Sequence, residues 1–537
     1  MFLKAHTLLI TPRRERQTKK KRQAETLNVL SESSESPLHS DIVKKPTMFQ
    51  EIYAIHEPYV YAAIVREKET QKICYEILEP TLNSKEIHYL NEIKTFLMDE
   101  LDVNMKEIEN KVKAEKYLKQ KIKDLIKKYR IKIPIEAIDK LSYYIVRDFI
   151  GYGKIDPLMK DPLIEDISTD GVNIPLYIWH REYESLPTNI IFKHAAELNS
   201  FVVRLAYLSG KNVSVAAPIL DASLPDGSRI QLTYGKEITR RGSTFTIRRF
   251  KADPLTISDL IAFNTLPSSM AAYLWYLIEN RASVLVAGGV ACGKTTTLNG
   301  LSIFIKPEMK IVSVEDTQEI NLPHENWIPS VVRAGFNDDK QNNSINLFDL
   351  LKVAVRQRPD YIIVGEVRGA EAYTLFQAMA TGHLGMCTIH AESVESVINR
   401  LESEPMNIPR MLVAMTDIIL VMERTEVNGK PARRVKVATE INGVEKTTNN
   451  ILTKEVFNWN PKFDKFSSLK DSILLEKHKL KMGLQDGEIQ RELKNREVIL
   501  DWMVKQDIRN QKDVSNVIRE YYANPNRVIQ KARMGLK

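Results

Sequence analysis

Between residues 255 and 390, short apolar runs alternate with longer stretches in which apolar residues recur at helical spacing. A run that is apolar throughout predicts a strand buried on both faces, and strands that alternate with helices predict a mostly parallel sheet covered by helices. The strands are predicted at 283–287, 310–314, 361–364 and 386–389, and the helices at 269–280, 347–356 and 370–380. This pattern indicates an α/β domain.

The part of the chain before this domain has a different pattern, with short strands and polar helices. Residues 59–77 predict a β-hairpin, residues 85–130 predict Lys- and Glu-rich helices with solvated outer faces, and Pro134 opens a further helix. Short strands around a turn at Asp170 and Gly171 begin an α+β region. The predicted segments are a disordered basic tail at 1–47, a helical and hairpin subdomain at 48–150, an α+β domain at 151–254, the α/β domain at 255–468 and C-terminal helices at 469–537.

Three further predictions concern the last third of the chain. The apolar stretch 411–422 is too short to span a membrane and contains Asp417, so we predict a core strand there. Residues 433–438 and 439–441 are predicted to form edge strands. Residues 469–523 are rich in Lys and Glu at helical spacing and predict a small C-terminal bundle.

Composition narrows the class of protein without identifying it. The 537 residues carry a formal net charge of +8, which favours anionic partners such as nucleotides, acidic lipid headgroups or nucleic acid. Basic residues cluster at 13–22, in a tail that is either an arm for a membrane surface or partner, or a solvated solubilising segment.

The cysteines and the apolar runs indicate a cytoplasmic setting. Cys74, Cys292 and Cys387 stand far apart, which excludes a disulfide framework and argues against a zinc site. No apolar run is long enough for a membrane span or for the core of a signal peptide. We expect any work at a membrane to be done from outside the bilayer.

Residues 288–295 match the pattern G-x-x-x-x-G-K-[ST] between a predicted strand and a predicted helix. Backbone N–H groups of such a loop and the N-terminus of its helix bind phosphate oxygens, Lys294 reaches the β- and γ-phosphates, and the Thr295 hydroxyl coordinates Mg²⁺. We therefore predict a site for ATP and Mg²⁺. Its predicted binding residues are Gly288, Gly289, Val290, Ala291, Cys292, Gly293, Lys294, Thr295 and Thr296.

Glu315, Glu366 and His390 each follow a predicted strand of the α/β domain. The carboxyl ends of parallel strands share one edge, which is where ligands bind in such sheets. We predict that Glu315 is the general base for the attacking water and that Glu366, at the Walker B position, holds Mg²⁺. His383 and His390 flank one strand and are predicted to sense the γ-phosphate. The alternatives are helix caps or surface acids for the glutamates and structural roles for the histidines.

Four arginines lie outside the P-loop domain and suit contacts with phosphate. A guanidinium presents its donors in a fork that can bridge phosphate across a domain or subunit boundary. The alternative is an ordinary salt bridge for at least two of the four. The residues are Arg204, Arg229, Arg248 and Arg249.

Four ordered motifs together resemble the type II/IV secretion ATPases, in the archaeal branch that includes archaellum motor and pilus-assembly ATPases. The P-loop at 288–295 is followed by residues 313–319, which are similar to the aspartate box of that family. Residues 358–369 are similar to its atypical Walker B motif and residues 381–391 to its histidine box. The chain lacks the four-cysteine zinc module of many bacterial relatives, which favours the archaeal branch.

The resemblance implies a RecA-like P-loop domain in a homo-hexamer, with ATP and Mg²⁺ bound and with arginine fingers from Arg229, Arg248 and Arg249. It implies a polytopic membrane platform protein as partner and pilin- or archaellin-like subunits as cargo, at the inner face of the cell membrane. We therefore predict a cytoplasmic motor for a pilin-like filament or for secretion. The alternatives are a conjugation-type DNA or protein secretion ATPase and a nucleotide-gated scaffold with little turnover. We also expect an acidic lipid surface as a partner, and we do not expect the protein to bind nucleic acid.

Overall fold

The computed structural model describes residues 47–68, 70–100, 111–250, 254–333, 345–469 and 471–536. The chain divides into two compact units, with the division between Arg249 and Phe250. The predicted basic tail at 1–47 lies outside the described residues except for Thr47, so it stays a prediction, as do the finer domain boundaries.

The first unit is built on a nine-stranded sheet. Its strands are β1 (Thr47–His56), β2 (Val60–Glu67), β3 (Ile73–Leu78), β4 (Ile164–Thr169), β5 (Pro175–His180), β6 (Glu184–Ile191), β7 (Ile219–Ser223), β8 (Arg229–Thr233) and β9 (Thr244–Arg248). They lie in the order β1-β2-β3-β6-β5-β4-β9-β8-β7, and all neighbours are antiparallel except β3 and β6. The pairing of β2 with β3 confirms the predicted hairpin.

Helices cover this sheet and form a small core of their own. They are α1 (Ser84–Glu100), α2 (Lys111–Lys128), α3 (Ile135–Phe149), the short α4 (Asp156–Lys160) and α5 (Ala195–Leu208). Ile93, Leu118 and Leu141 are fully buried where α1, α2 and α3 meet, and Val202 and Leu205 anchor α5 in the core of the sheet. The helices α1, α2 and α3 present apolar residues at helical spacing on their inner faces, the pattern from which helices were predicted at 85–130 and after Pro134.

The second unit contains another nine-stranded sheet, most of it parallel. Its strands are β10 (Val284–Gly288), β11 (Ile311–Glu315), β12 (Trp327–Val331), β13 (Tyr361–Val364), β14 (Leu384–Ile389), β15 (Ile418–Val427), β16 (Lys430–Val444), β17 (Ile451–Asn460) and β18 (Lys465–Phe466). The order is β12-β11-β13-β14-β10-β15-β16-β17-β18. The pairs from β12 to β15 are parallel and those from β15 to β18 are antiparallel.

Helices cover both faces of this sheet. Val284 and Val286 of β10 enter one hydrophobic core, whereas the alternate residues Leu285 and Ala287 enter the other. This alternation confirms the predicted strand with two buried faces. The helices are α6 (Ile257–Ala262), α7 (Ser268–Glu279), α8 (Lys294–Ser302), α9 (Leu347–Arg356), α10 (Glu371–Ala380), α11 (Val394–Glu402), α12 (Arg410–Val413), α13 (Ile473–Met482), α14 (Glu488–Lys505), α15 (Gln511–Ala523) and α16 (Pro525–Leu536).

The structure corrects two strand predictions. The stretch 411–422 is not one core strand, because Pro409 caps the short helix α12 and the strand β15 begins only at Ile418. Residues 433–441 are not edge strands, because they belong to β16, which lies between β15 and β17. A register shift between Ala438 and Thr439 interrupts the alternation of β16 and explains why its pattern indicated two short strands.

The C-terminal helices do not form the separate bundle that the sequence predicted. They share one hydrophobic core with α7 and α8. The indole ring of Trp275 stacks on Phe304 at a centroid distance of 5.1 Å and forms a T-shaped pair with the Tyr521 ring at 5.0 Å. Arg496 of α14 donates to Glu279 of α7 at 2.6 Å. Across the described ranges, no helix combines the length and the hydropathy that a membrane span requires.

Candidate functional site

The P-loop has the strand, loop and helix that its motif requires. Every residue of β10 is buried, and the helix α8 begins at Lys294 directly after Gly293, whose φ of 92° lies in the left-handed region. Gly288 has a φ of 155°, and a Cβ at this position would lie 2.5 Å from Sγ of Cys292. Only glycine fits there. Val290 projects from the loop with 80% of its surface exposed.

Lys294 lies inside the curve of this loop and is only 8% exposed. Its Nζ donates to the carbonyl of Gly289 at 2.7 Å and lies 3.3 Å from Nδ1 of His390. Burial lowers the pKa of the Lys294 ammonium. Burial, and after it the charge of Lys294, lowers the pKa of the His390 imidazole. The lysine therefore has polar contacts on the loop itself and on the end of β14.

Glu366 continues this line of contacts on the next strand. Nε2 of His390 lies 2.8 Å from Oε1 of Glu366, and Nη2 of Arg368 donates to Oε2 of Glu366 at 2.5 Å. The loop after β13 is held by Glu371, whose Oε1 accepts from the N–H groups of Arg368 and Gly369, each at 2.7 Å. Lys294, His390 and Glu366 thus form a continuous row at the carboxyl edge of the sheet.

Glu315 is the last residue of β11 and lies at the same edge, one strand beyond Glu366. Its Oε1 accepts from the N–H groups of Glu319 at 2.9 Å and Ile320 at 3.0 Å. A Cβ on Gly365 would lie 3.1 Å from Cγ of Glu315, so the carboxyl side chain packs against the backbone that leads to Glu366. Glu315 is 2% exposed, and burial raises the pKa of its carboxyl to about 8.

His383, which was predicted together with His390 to sense the γ-phosphate, does not join this group. His383 precedes β14, whereas His390 follows it. A strand rises about 3.3 Å per residue, so the two side chains are separated by about 20 Å along the strand. Nδ1 of His383 lies 3.3 Å from the carbonyl of Ala378, at the end of the preceding helix. This contact favours the structural alternative for His383.

The four arginines of the first unit have different surroundings. Arg229 and Arg248 are exposed and lie opposite each other on β8 and β9, in a groove of about 600 Å³ on one face of the sheet. Arg249 instead donates from Nη1 to the carbonyl of Ile164 at 3.1 Å, and burial lowers the pKa of its guanidinium. Arg204 donates to the carbonyl of Gly151. The guanidinium groups of Arg204 and Arg249 therefore donate to backbone carbonyls within the first unit.

Two further side chains at the site were not predicted. Glu371 holds the backbone after Glu366, and an acid in the first turn of a helix is a local signal that could have identified it. Arg433 of β16 donates from Nε to the carbonyl of Ala291 in the P-loop at 3.4 Å. It reaches the loop from a distant part of the sequence, so no local pattern indicates it.

Comparison with known proteins agrees with the geometry. The family model described as Type II/IV secretion system protein matches residues 153–452. Uncharacterized protein MJ0900 of Methanocaldococcus jannaschii is 39% identical over 397 residues, which cover 73% of this chain and 71% of that protein. The probable conjugal transfer protein TrbB of Sinorhizobium fredii is 29% identical over 292 residues, covering 52% of this chain and 85% of that protein.

Among solved structures, the Legionella pneumophila ATPase DotB aligns with 69% of this chain and 92% of its own, at 15% identity and a TM-score of 0.38. The assignment of this chain to a family rests on the family model and the sequence relatives. The second unit is an α/β domain in which a P-loop follows a central strand of a mostly parallel sheet. Because the family model spans more than half of the chain and includes the P-loop, the chain belongs to the type II/IV secretion system protein family.

Proposed function

We propose that this protein is an ATP-hydrolysing motor that drives a membrane-bound machine for filament assembly or secretion. One observation carries the proposal: the row of Lys294, His390 and Glu366, with Glu315 packed beside it at a single sheet edge. Phosphoryl transfer to water needs a phosphate-binding cation, a carboxylate for the metal ion and a group that accepts a proton near neutral pH. These residues supply all three.

Mg²⁺ would be held by the Thr295 hydroxyl and the Glu366 carboxylate, together with the phosphates. Both are hard oxygen ligands of the kind that Mg²⁺ prefers. In the described part of the chain, no group of three or more His, Cys, Asp or Glu side chains could hold a metal ion alone. This fits a metal that arrives with the nucleotide, where it neutralises phosphate charge.

Glu315 would take the proton of the attacking water, since a buried carboxylate with a pKa of about 8 is a stronger base than an exposed one. His390 would respond to the γ-phosphate through Lys294. A phosphate that attracts the Lys294 ammonium competes with its contacts to Gly289 and His390. Nucleotide state would thereby change the surroundings of His390.

ATP turnover by the full-length protein tests the proposal. We expect phosphate release that requires Mg²⁺ and stops when a chelator removes the metal, because the phosphate charge is then no longer neutralised. Measurements of mass in solution should show a hexamer when nucleotide is present. A wild type with no turnover above that of Glu315→Gln would support the nucleotide-gated scaffold instead.

In the cell, we place the motor in the cytoplasm at the inner face of the membrane, against a polytopic platform protein that handles pilin- or archaellin-like subunits. The similarity to the conjugal transfer protein TrbB favours a second candidate, a conjugation-type secretion ATPase. DNA that stimulates turnover, with a strong dependence on salt, would support this second candidate. Turnover that DNA leaves unchanged would favour filament assembly.

Arg229 and Arg248 are proposed to contact the phosphates of the bound nucleotide. We expect Arg229→Gln and Arg248→Gln each to lower kcat by about tenfold, since a charge-assisted hydrogen bond contributes about 1.5–3 kcal/mol. Steady-state kinetics measure this, with exposed Arg240→Gln as the control. Arg249→Gln should lower the Tm because Arg249 bonds to the carbonyl of Ile164. Equal kcat values for all four variants would contradict the assignment.

A further inference from the structure

Glu315 accepts its hydrogen bonds from the segment that follows β11, which we call the Glu315 loop (residues 316–324). The N–H groups of Glu319 and Ile320 donate to its Oε1 at 2.9 Å and 3.0 Å. Its Oε2 is buried and has no hydrogen-bond partner among the described residues. The placement of the Glu315 loop therefore decides where the carboxyl group lies.

Two side chains of the C-terminal helix α15 bind this loop. Nε2 of Gln511 donates to the carbonyl of Asn321, and Nη2 of Arg519 donates to the carbonyl of Pro323 at 2.6 Å. On its other side, the N–H of Asn321 donates to Oδ1 of Asn299 at 2.9 Å, and Asn299 belongs to the helix that begins at the P-loop. The Glu315 loop is thus held between α8 and α15.

Packing within the unit keeps α15 in place. Ile518 and Tyr521 are buried in the core shared with α7, where the Tyr521 ring forms a T-shaped pair with Trp275. Just before the helix, the carbonyl of Arg509 accepts from Oγ1 of Thr256 at 2.9 Å. The helix is therefore packed against the core of the unit, and its Gln511 and Arg519 side chains extend from this fixed position to the Glu315 loop.

We infer that α15 is a positioning element for ATP hydrolysis, in which Gln511 and Arg519 set the placement of Glu315 through the Glu315 loop. The inference rests on the proposed role of Glu315 as the base. The helix lies beyond the residues 153–452 that the family model matches. The contacts that hold the Glu315 loop in place therefore come from a part of the chain outside the matched region. Misplacing a catalytic group by about 1 Å can cost about 100-fold in rate.

The test is the double variant Gln511→Leu and Arg519→Met in the full-length protein, which removes both donors and keeps the side-chain volume. We expect kcat for ATP to fall about 10- to 100-fold, because the base is displaced. The Kd for ADP should stay within about twofold, because the phosphate-binding loop is untouched. Arg519→Lys keeps one donor and should recover part of the lost kcat.

Two variants on the same helix separate positioning from stability. Val517→Ala removes core packing and keeps both donors to the loop, Gln511 and Arg519, so it should lower the Tm and retain kcat. Asn516→Ala, at an exposed position, should change neither. The inference would be overturned if the double variant kept the wild-type kcat, or if Val517→Ala lowered kcat as much as the double variant does. Either result would leave the proposed function in place. A wild type without turnover would overturn the proposed function, and the inference with it.

Discussion

Glu315→Gln is expected to lower kcat for ATP hydrolysis by about 10²- to 10⁴-fold, the range over which a positioned general base contributes. Glutamine keeps the shape of the side chain and can still accept from the N–H groups of Glu319 and Ile320, but it cannot take a proton. The Kd for ADP should therefore stay close to that of the wild type. Steady-state and single-turnover phosphate release, together with a binding titration, measure the two effects separately.

The pH dependence gives this prediction a second observable. Burial raises the pKa of Glu315 to about 8, so most of the carboxyl is protonated at pH 7 and only the deprotonated form acts as the base. In the wild type, kcat/KM should rise about tenfold per pH unit below this pKa and level off above it. The residual activity of Glu315→Gln should lack this limb.

Glu319→Gln is the matched control for Glu315. It keeps the backbone N–H that donates to Glu315 and removes a neighbouring negative charge that raises the pKa of Glu315. We expect kcat to be retained and the acidic limb of kcat/KM to move to lower pH. A Glu315→Gln variant with wild-type turnover would contradict the assignment of the base.

Lys294→Ala is expected to lower kcat/KM for ATP by about 10²- to 10⁴-fold, since the ammonium makes charge-assisted contacts with two phosphates that are worth about 1.5–3 kcal/mol each. Most of this loss should appear in binding. Nucleotide should then no longer raise the Tm, because the ligand-induced gain depends on the ratio of ligand concentration to Kd. Calorimetric titration with ADP and thermal melts with and without ADP measure these effects.

Val290→Ala is the control for the P-loop. Its part in the predicted phosphate site is the backbone N–H, which alanine keeps, and its side chain is 80% exposed, so truncation should leave kcat/KM and the ADP-induced rise in Tm unchanged. Should Lys294→Ala bind ADP as tightly as the wild type, residues 288–295 would not be the phosphate site and the proposed function would be wrong.

Much of the second unit could be predicted because its signals are local. Runs of apolar residues are needed wherever a strand is buried on both faces, and this requirement identified β10, β11, β13 and β14. The edge strand β12 was missed because Pro329 interrupts its pattern, and a proline is tolerated in a sheet mainly at an edge. Strand direction then placed Glu315, Glu366 and His390 at one edge without any knowledge of contacts.

Local sequence patterns were thus enough to predict the phosphate-binding loop, the parallel strands and their shared edge. Backbone geometry and burial restrict which residue types can occupy neighbouring positions, so these features are visible in the sequence. Three other features could be seen only in the tertiary structure. The inner position of β16, the separation of His383 from His390 and the bond from Gln511 to Asn321 all join segments far apart along the chain. The raised pKa of Glu315 arises from burial by many such segments together. Contacts of this kind depend on distance in space, which no local pattern encodes.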